Sequence, residues 1–364
     1  MRPDSEAELA EMVRTAQEPL WIMGGGTRRL GQMAQGHILE TGGMSGIVLH
    51  EPGALTLVAR AGTPLALIEA ELAQAGQRLA FEPSKMARLQ GRSGETTIGG
   101  IVAANASGPG RIQGGACRDS LIGVRFVDGQ GYVIKSGGRV MKNVTGYDLV
   151  KLMAGSHGTL GVLTEVSFKL LPKSEASATL RLDGLADAEA IAALSRALGS
   201  PFEVNGAAHL PGVGTFLRLE GFAKSVAYRS AQLRMLLGGD VMTDGAEALW
   251  ADIRDVAPFW EQAGDVWRIS TKPSEAATLG ARLGAEAVFY DWGGGLIWAR
   301  MAPGTDVRAR MGSVVGYATL IRASAGFEGT FGHFAPEPAP VAALSAGLRA
   351  KFDPKSVLNP GLMG

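Results

Sequence analysis

Glycine-rich loops are the feature that most constrains the fold of this chain. Of its 364 residues, 52 are glycine, about twice the usual ~7%. The glycines cluster in loops rather than in a G-X-Y or low-complexity repeat. Glycine lets the backbone adopt positive φ and pass close to a ligand. Two interpretations stay open here: a large ligand threaded along backbone amides, or a turn-rich α+β fold that needs glycine only for its turns.

Composition and charge exclude several classes of protein. The 35 basic and 35 acidic side chains balance to a formal charge of zero, which gives no electrostatic reason to expect nucleic acid as a partner. Hydrophobic residues make up 46% and charged residues 19%, so we expect neither disorder nor a fibrous chain. Because Cys117 is the one cysteine, the chain has no disulfide framework, no CxxC redox pair and no cysteine-ligated iron–sulfur cluster of its own.

The sequence also shows no membrane or secretory signal. Residues 1–6 are too acidic for a secretory signal, and no apolar run approaches the ~18 residues that a membrane span needs. The length predicts two or three domains with an ample core. We therefore expect a soluble, cytoplasmic protein.

Hydrophobic periodicity and turn residues predict an α+β fold of short strands and helices. The predicted strands are 20–23, 47–49, 55–60, the hairpin pair 121–127 and 132–136, 162–171 with one buried face, and a pair within 288–300. The predicted helices are one with a capping box of Ser5 and Glu8, one from the cap Thr63 and the first-turn Pro64 to a stop at Gly76, 185–198, and 223–237.

The amino-acid composition of the chain changes after Pro172. Residues 173 to about 330 are richer in Ala, Trp and Arg and have fewer dense glycine loops. We place a first domain at 1–172, a smaller α+β cap or substrate domain at 173–335, and a C-terminal segment at 336–364 that returns toward the first domain. Turn residues at 352–354 and 359–361 indicate that this segment is ordered.

Three segments of the first domain carry the chemistry. Residues 23–28 (Met-Gly-Gly-Gly-Thr-Arg) follow a predicted strand, and they suit either a pyrophosphate nest or an ordinary glycine turn. They are neither a Walker loop nor a good Rossmann fingerprint, because no Gly-Lys-Ser/Thr and no clear helix follows. Residues 95–108 are mostly small, which suits either a flat ring against main chain or a buried Ala/Gly helix on a sheet. Residues 142–148 and 155–165 form further glycine-bearing loops, which together favour an extended dinucleotide cofactor.

These segments carry a resemblance to a known family. The stretch 20–172 resembles the FAD-binding domain of the vanillyl-alcohol oxidase superfamily, the PCMH type, and 352–361 resembles its C-terminus. Closer still, residues 107–109, 118–119, 140–147 and 291–295 resemble the FAD-binding subunits of bacterial glycolate oxidases, and this similarity covers nearly the full chain.

The resemblance implies that FAD lies in a two-lobed first domain. The residues that it assigns to FAD are Gly24, Gly25, Gly26, Thr27 and Arg28 at the pyrophosphate; Thr97, Ile98, Gly99, Gly100, Asn105, Ala106, Ser107 and Gly108 along the ribityl chain and ring; and Gly158, Gly161 and Val162 on the adenine side. Covalent members of the superfamily have a histidine where this chain has Thr27. We therefore expect non-covalent FAD.

The chain departs from the hydroxy-acid dehydrogenase branch in its candidate catalytic residues. That branch uses a His-x-Gly-Asp-Gly-Asn type block for metal and substrate, and nothing like it occurs here, so we expect no metal site. Oxidising a hydroxy acid needs a flavin, a cation for the carboxylate and a base for the hydroxyl proton. Arg268 and Arg322 are candidates for the cation, and Tyr317 or His333 for the base; structural salt bridges are the competing interpretation of the two arginines.

The functional hypothesis is an FAD-binding subunit of a glycolate oxidase, which converts glycolate to glyoxylate and passes electrons toward quinone. The resemblance implies a larger homologous flavin subunit and an iron–sulfur subunit as partners, a small 2-hydroxy acid as substrate, and at most peripheral attachment to the cytoplasmic face of the inner membrane. Two alternatives stay open: a self-sufficient FAD-dependent 2-hydroxy-acid dehydrogenase or oxidase, and a non-catalytic assembly subunit.

Overall fold

A computed structural model describes residues 1–31, 35–138, 146–326 and 331–363. Its helices are α1 (Glu6–Thr15), α2 (Leu65–Gln74), α3 (Ile98–Ala103), α4 (Arg111–Gly114), α5 (Cys117–Ser120), α6 (Leu149–Met153), α7 (Asp187–Leu198), α8 (Ala223–Leu237), α9 (Ala246–Asp255), α10 (Pro273–Leu283), α11 (Val307–Met311) and α12 (Ala339–Phe352). Its strands are β1 (Leu20–Met23), β2 (His37–Glu40), β3 (Ile47–Glu51), β4 (Thr56–Arg60), β5 (Gln77–Arg78), β6 (Leu121–Val127), β7 (Val133–Gly137), β8 (Val162–Lys169), β9 (Leu171–Pro172), β10 (Ala176–Leu182), β11 (Gly206–Leu210), β12 (Gly214–Gly221), β13 (Asp240–Val241), β14 (Asp265–Thr271), β15 (Ala287–Asp291), β16 (Leu296–Met301) and β17 (Gly316–Arg322). The mixture of helices and sheets confirms the α+β class.

The chain divides into two compact units. The first contains residues 1–107, 115–173 and 336–364, and the second contains 108–114 and 174–335. The short segment 108–114 thus belongs to the second unit although its neighbours in sequence belong to the first.

The first unit is built on a five-stranded antiparallel sheet in the order β3-β4-β8-β6-β7. Because β8 is central in this sheet, Leu163 and Ser167 on one face are buried as well as Val166 and Phe168 on the other. The expectation of one buried face on this strand was therefore wrong. One hydrophobic cluster joins the sheet to α2, α3 and α6, and a second joins β1 and β2 to α1 and to Val357 and Leu358.

Local sequence signals explain where two helices of this unit begin. The Ser5 hydroxyl accepts a hydrogen bond from the Glu8 N–H at 3.2 Å, which caps α1 as predicted. The expected cap of α2 by Thr63 was wrong. The Thr63 hydroxyl donates instead to the carbonyl oxygen of Arg60 at 2.6 Å, because Pro64 takes the capping position without a side-chain bond.

The second unit is a duplication. Its eight-stranded sheet has the order β13-β10-β12-β11-β15-β16-β14-β17. The first half runs β10-α7-β11-β12-α8-β13 along the chain, and the second half runs β14-α10-β15-β16-α11-β17. Each half is a β-α-β-β-α-β unit of the ferredoxin-like type, and the two halves meet in mirrored strand order where β11 lies beside β15.

A buried polar network stabilises the junction of the two halves. β11 and β15 share the single register pair His209 and Tyr290. Asp187, in the first turn of α7, contacts both, since its carboxylate lies 3.2 Å from His209 Nε2 and accepts a bond of 2.6 Å from the Tyr290 hydroxyl. Burial and the hydrogen bond to Asp187 raise the pKa of the Tyr290 hydroxyl, so this group stays a donor.

Several large aromatic side chains of the second unit lie in its interior. Trp250, Phe259 and Trp267 are at most 5% exposed. Their burial assigns them to the core. Within the residues that the structure describes, none of the helices has both the length and the apolar character needed to cross a bilayer.

Candidate cofactor cleft and anion site

An open cleft lies within the first unit. The residues that line it come from the glycine loop after β1, from β2, from α3 and the segment before it, from the loop before β8, and from the C-terminal segment. They include ten of the residues expected to bind FAD: Gly24, Gly25, Gly26, Thr27, Arg28, Thr97, Gly99, Gly100, Gly158 and Gly161. Residues Asn359 and Leu362 also line it, and the sequence had not indicated them.

The glycines of the first loop are required by close backbone packing. A Cβ atom on Gly25 would overlap the carbonyl oxygen of Glu95, and a Cβ on Gly94 would overlap the carbonyl oxygen of Gly25. Gly26 has a φ of 70°, which favours glycine. The loop therefore lies directly on the segment that leads into α3, and only glycine allows that approach.

This loop offers unpaired donors to the cleft. Within the described residues, the backbone N–H groups of Gly25, Gly26 and Thr27 donate to no protein acceptor. Consecutive unpaired N–H groups form a nest that favours an anion such as a pyrophosphate. The residues present therefore fit the negatively charged part of FAD.

Arg28 stabilises the wall of the cleft. Its guanidinium group donates to the carbonyl oxygen of Ser84 and, at 3.0 Å, to the Ser84 hydroxyl. The side chain thus links the glycine loop to the segment before α3. Its charge also lowers the pKa of His157.

The small-residue segment 97–108 is partly a helix and partly a loop. Thr97 caps α3 by accepting from the Gly100 N–H at 3.3 Å, and a Cβ on Gly99 would lie 2.7 Å from Cβ of Ala61. The short helix therefore packs tightly against β4 while its first turn lines the cleft. Both interpretations of the segment describe part of it.

The other residues expected at the cofactor are not among those that line this cleft. Ile98, Ala106 and Val162 are buried in hydrophobic clusters. The Asn105 and Ser107 side chains accept hydrogen bonds from the backbone N–H groups of Arg118 and Cys117. Gly108 belongs to the second unit, where its carbonyl oxygen accepts from Trp292 Nε1 at 3.0 Å. Of the loop 142–148, residues 142–145 lie outside the described residues.

Two further groups of the first unit have altered pKa values. Burial and the Arg28 guanidinium lower the pKa of His157 to about 4, so its imidazole is neutral at pH 7. Burial raises the pKa of the Cys117 thiol, which keeps it protonated.

Among the described residues, no group of three His, Cys, Asp or Glu side chains could hold a metal ion.

Two of the four candidate catalytic residues have structural roles. The Arg322 guanidinium donates to the carbonyl oxygens of Phe259 at 2.9 Å and Gly264 at 3.2 Å, so it closes the loop before β14. The His333 ring lies 2.6 Å, through Nδ1, from the carbonyl oxygen of Leu320. The acceptors of Arg322 in these contacts are main-chain oxygens.

The other two candidates, Arg268 and Tyr317, lie together in the second unit. Tyr317 lies beside Ser270 in the register of β14 and β17, and although burial raises the pKa of its hydroxyl, the Arg268 charge lowers it. Arg268 also contacts the ring of Trp292, and Arg111 contacts the same ring. Sequence reasoning missed Arg111 and Trp292, because Arg111 is far from the others in sequence and only the fold brings its segment to them.

Comparisons with known proteins agree with this cleft. The family model described as "FAD binding domain" matches residues 1–137. A solved alkyldihydroxyacetonephosphate synthase has the same fold, with a TM-score of 0.70 and 16% identity over 99% of this chain and 76% of that chain. The fold and the matched domain define the class: the chain carries an FAD-binding domain of the PCMH type.

Sequence relatives narrow the class to a family. The chain is 38% identical over 366 residues to the glycolate oxidase subunit GlcE of Escherichia coli, covering 99% of this chain and 97% of that protein. It is 45% identical over 85 residues to the glycolate oxidase subunit GlcD of Bacillus subtilis, covering 23% of this chain and 18% of that protein. The chain belongs to the GlcE family, and FAD is its cofactor.

Proposed function

We propose that this chain is the FAD-binding subunit of a glycolate oxidase that converts glycolate to glyoxylate and passes electrons toward quinone. The observation that carries the proposal is the glycine-lined cleft, whose N–H groups at Gly25, Gly26 and Thr27 have no protein acceptor among the described residues. The 38% identity to the GlcE subunit over 99% of the chain supplies the reaction.

In this proposal the loop 24–28 binds the FAD pyrophosphate, and Thr97, Gly99 and Gly100 lie beside the ribityl chain and ring. Gly158 and Gly161 complete the adenine side. FAD supplies a two-electron acceptor for the oxidation of the alcohol. The protein binds and orients that group, and the apolar side chains of Ile22 and Leu163 line the same cleft. Because Thr27 offers no imidazole, the flavin is held without a covalent bond.

The proposal includes partners. A larger homologous flavin subunit and an iron–sulfur subunit complete the enzyme, since this chain has one cysteine and cannot hold a cysteine-ligated cluster. The GlcE and GlcD relatives are both described as subunits, which supports an assembly of several chains. Any attachment to a membrane surface is then peripheral and made through these partners.

The experiment compares the isolated, FAD-loaded chain with the complex obtained by coexpressing all three subunits. Glycolate is added without oxygen and flavin absorbance is followed, and turnover is then measured after addition of an artificial electron acceptor. We expect turnover only in the complex, and loss of that turnover in a complex that carries Gly25→Val. Turnover of the isolated chain at an ordinary rate, on the order of 1–10³ per second, would mean a self-sufficient dehydrogenase. Full activity of the Gly25→Val complex would mean an assembly subunit.

A further inference from the structure

A cluster of polar side chains occupies one face of the sheet in the second unit. Trp267 and Ile269 of β14 and their neighbours Ala318 and Leu320 of β17 belong to the hydrophobic cluster under the helices. Side chains alternate between the faces of a strand. Arg268 and Ser270 therefore point to the opposite face, where the register places them beside Thr319 and Tyr317.

Trp292 is the platform of this cluster. The Arg111 guanidinium lies 4.4 Å and the Arg268 guanidinium 5.0 Å from the centre of its ring. Two hydrogen bonds fix this residue. The ring Nε1 donates to the Gly108 carbonyl oxygen at 3.0 Å, and the backbone N–H of Trp292 donates to Asp291 Oδ1 at 2.7 Å. Cation–π contact with an immobile ring holds each guanidinium in place.

The backbone at Trp292 is strained. Its φ is 54°, a left-handed conformation that is costly for a bulky residue and is often found at functional sites. The two neighbouring hydrogen bonds maintain it. In this conformation the Trp292 ring contacts Gly108, which is 184 positions away in sequence.

Two positively charged guanidinium groups, those of Arg111 and Arg268, lie in this cluster. Among the described residues, Arg268 forms no ion pair with a carboxylate. Burial alone would raise the pKa of Tyr317, but the Arg268 and Arg111 charges and hydrogen bonds to Arg268 and Ser270 lower it below its ordinary value. Tyr317 is 50% exposed, so the cluster is reachable from solvent.

We propose that Arg111, Arg268 and Tyr317 form a binding site for the carboxylate of a small 2-hydroxy acid, with Trp292 as the residue that positions the two guanidinium groups. An arginine fork matches a carboxylate in two parallel hydrogen bonds, and the tyrosine hydroxyl supplies a third donor. The anion replaces the missing acidic partner of Arg268. The assignment to a 2-hydroxy acid rests on the proposed function, whereas the assignment to a carboxylate rests on the cluster itself.

The test measures carboxylate binding rather than turnover. Oxalate is the probe, because it has two carbons and no oxidisable CH–OH group. Calorimetric titration of the FAD-loaded full chain at constant ionic strength gives its Kd. We expect Arg268→Met and Arg111→Met each to raise that Kd at least about tenfold, the loss of roughly one charge-assisted pair. Tyr317→Phe, which keeps the ring, raises it by a smaller factor.

The control is Arg234→Met, which removes an exposed arginine of the same unit that pairs with Asp240 at 2.8 Å; it leaves the Kd unchanged. Arg268→Lys keeps the charge but not the fork and gives an intermediate Kd, and it decides the matter if Arg268→Met does not fold. Wild-type protein that does not bind oxalate, or a Kd that changes equally in Arg234→Met and Arg268→Met, would overturn the site. The FAD content of each variant reports on the proposed function separately, since a chain without FAD would contradict that proposal whatever the Kd.

Discussion

The side chain of Asn359 links two loops of the cofactor cleft. Its amide oxygen accepts from the Ile22 N–H at 2.8 Å, and its amide nitrogen donates to the carbonyl oxygen of His157 at 2.7 Å. The adjoining backbone pairs with β1, since Leu20 and Asn359 share a hydrogen bond of 3.0 Å. The last residues of the chain thus hold β1 and the loop before β8 in register, on either side of the glycine loop.

Asn359→Gly tests this link. Asn359 has a φ of 43°, which glycine tolerates, so the substitution removes both side-chain bonds without adding strain. We expect the free energy of unfolding of the first unit to fall by about 1–3 kcal/mol and FAD binding to weaken. Thermal melting and FAD titration measure both. Unchanged FAD affinity would mean that the C-terminal segment only stabilises the fold.

Gly25→Val and Gly99→Val test the backbone approach in the cleft. The new side chains would overlap Glu95 in the first case and Ala61 in the second. We expect FAD binding to weaken at least about tenfold, a loss of 1.4 kcal/mol or more. Gly53→Val is the matched control, because only the Glu51 side chain, at 3.8 Å, lies near its Cβ. Full flavin content in both cleft variants would contradict the site.

The lowered pKa of His157 predicts a pH dependence of stability. Its pKa is lowered from 6.5 to about 4 by burial and Arg28. Between these values the unfolded chain binds the proton and the folded chain does not, so stability falls as pH decreases from about 6.5 toward 4. The contribution is on the order of 3 kcal/mol when complete. His157→Asn, which suits the φ of 49°, should flatten the pH profile of unfolding relative to the unmutated chain; identical slopes would refute this.

The junction in the second unit gives a separate prediction. Tyr290→Phe removes the hydrogen bond of 2.6 Å to Asp187, which holds β15 beside β11. A bond to a charged acceptor contributes about 1.5–3 kcal/mol, so we expect denaturant unfolding of this unit to shift by that amount while flavin content stays the same. Loss of flavin in Tyr290→Phe would show that the cleft depends on the second unit more than its own contacts indicate.

Much of the fold could be predicted from local signals. Strand β1 and helix α8 have the predicted limits, because an apolar run that ends at glycines and a long run without glycine or proline are both local patterns. The duplication in the second unit was not predicted, since its halves share an order of elements and not a visible sequence repeat. The capping role of Thr63 was wrong because the competing bond to Arg60 depends on the turn that β4 makes.

The candidate site likewise contains residues that local sequence patterns predicted and residues that they did not. The glycine loop 24–28 was predicted because glycine next to a strand is a local pattern with a physical meaning. Asn359 was missed because its role depends on a contact with Ile22, 337 positions away in sequence. Arg111 was missed because its role depends on the placement of the short segment 108–114 within the second unit. Such contacts arise from the fold and leave no local trace.

The flavin content of the purified chain tests the central claim most directly. The measurement is the visible spectrum of the protein as isolated, followed by acid precipitation and quantification of FAD in the supernatant and in the pellet. The account predicts about one FAD per chain, all of it released to the supernatant because Thr27 forms no covalent bond. A chain that carries no flavin and takes up none on titration with FAD would contradict the account, and flavin retained in the pellet would contradict its non-covalent form.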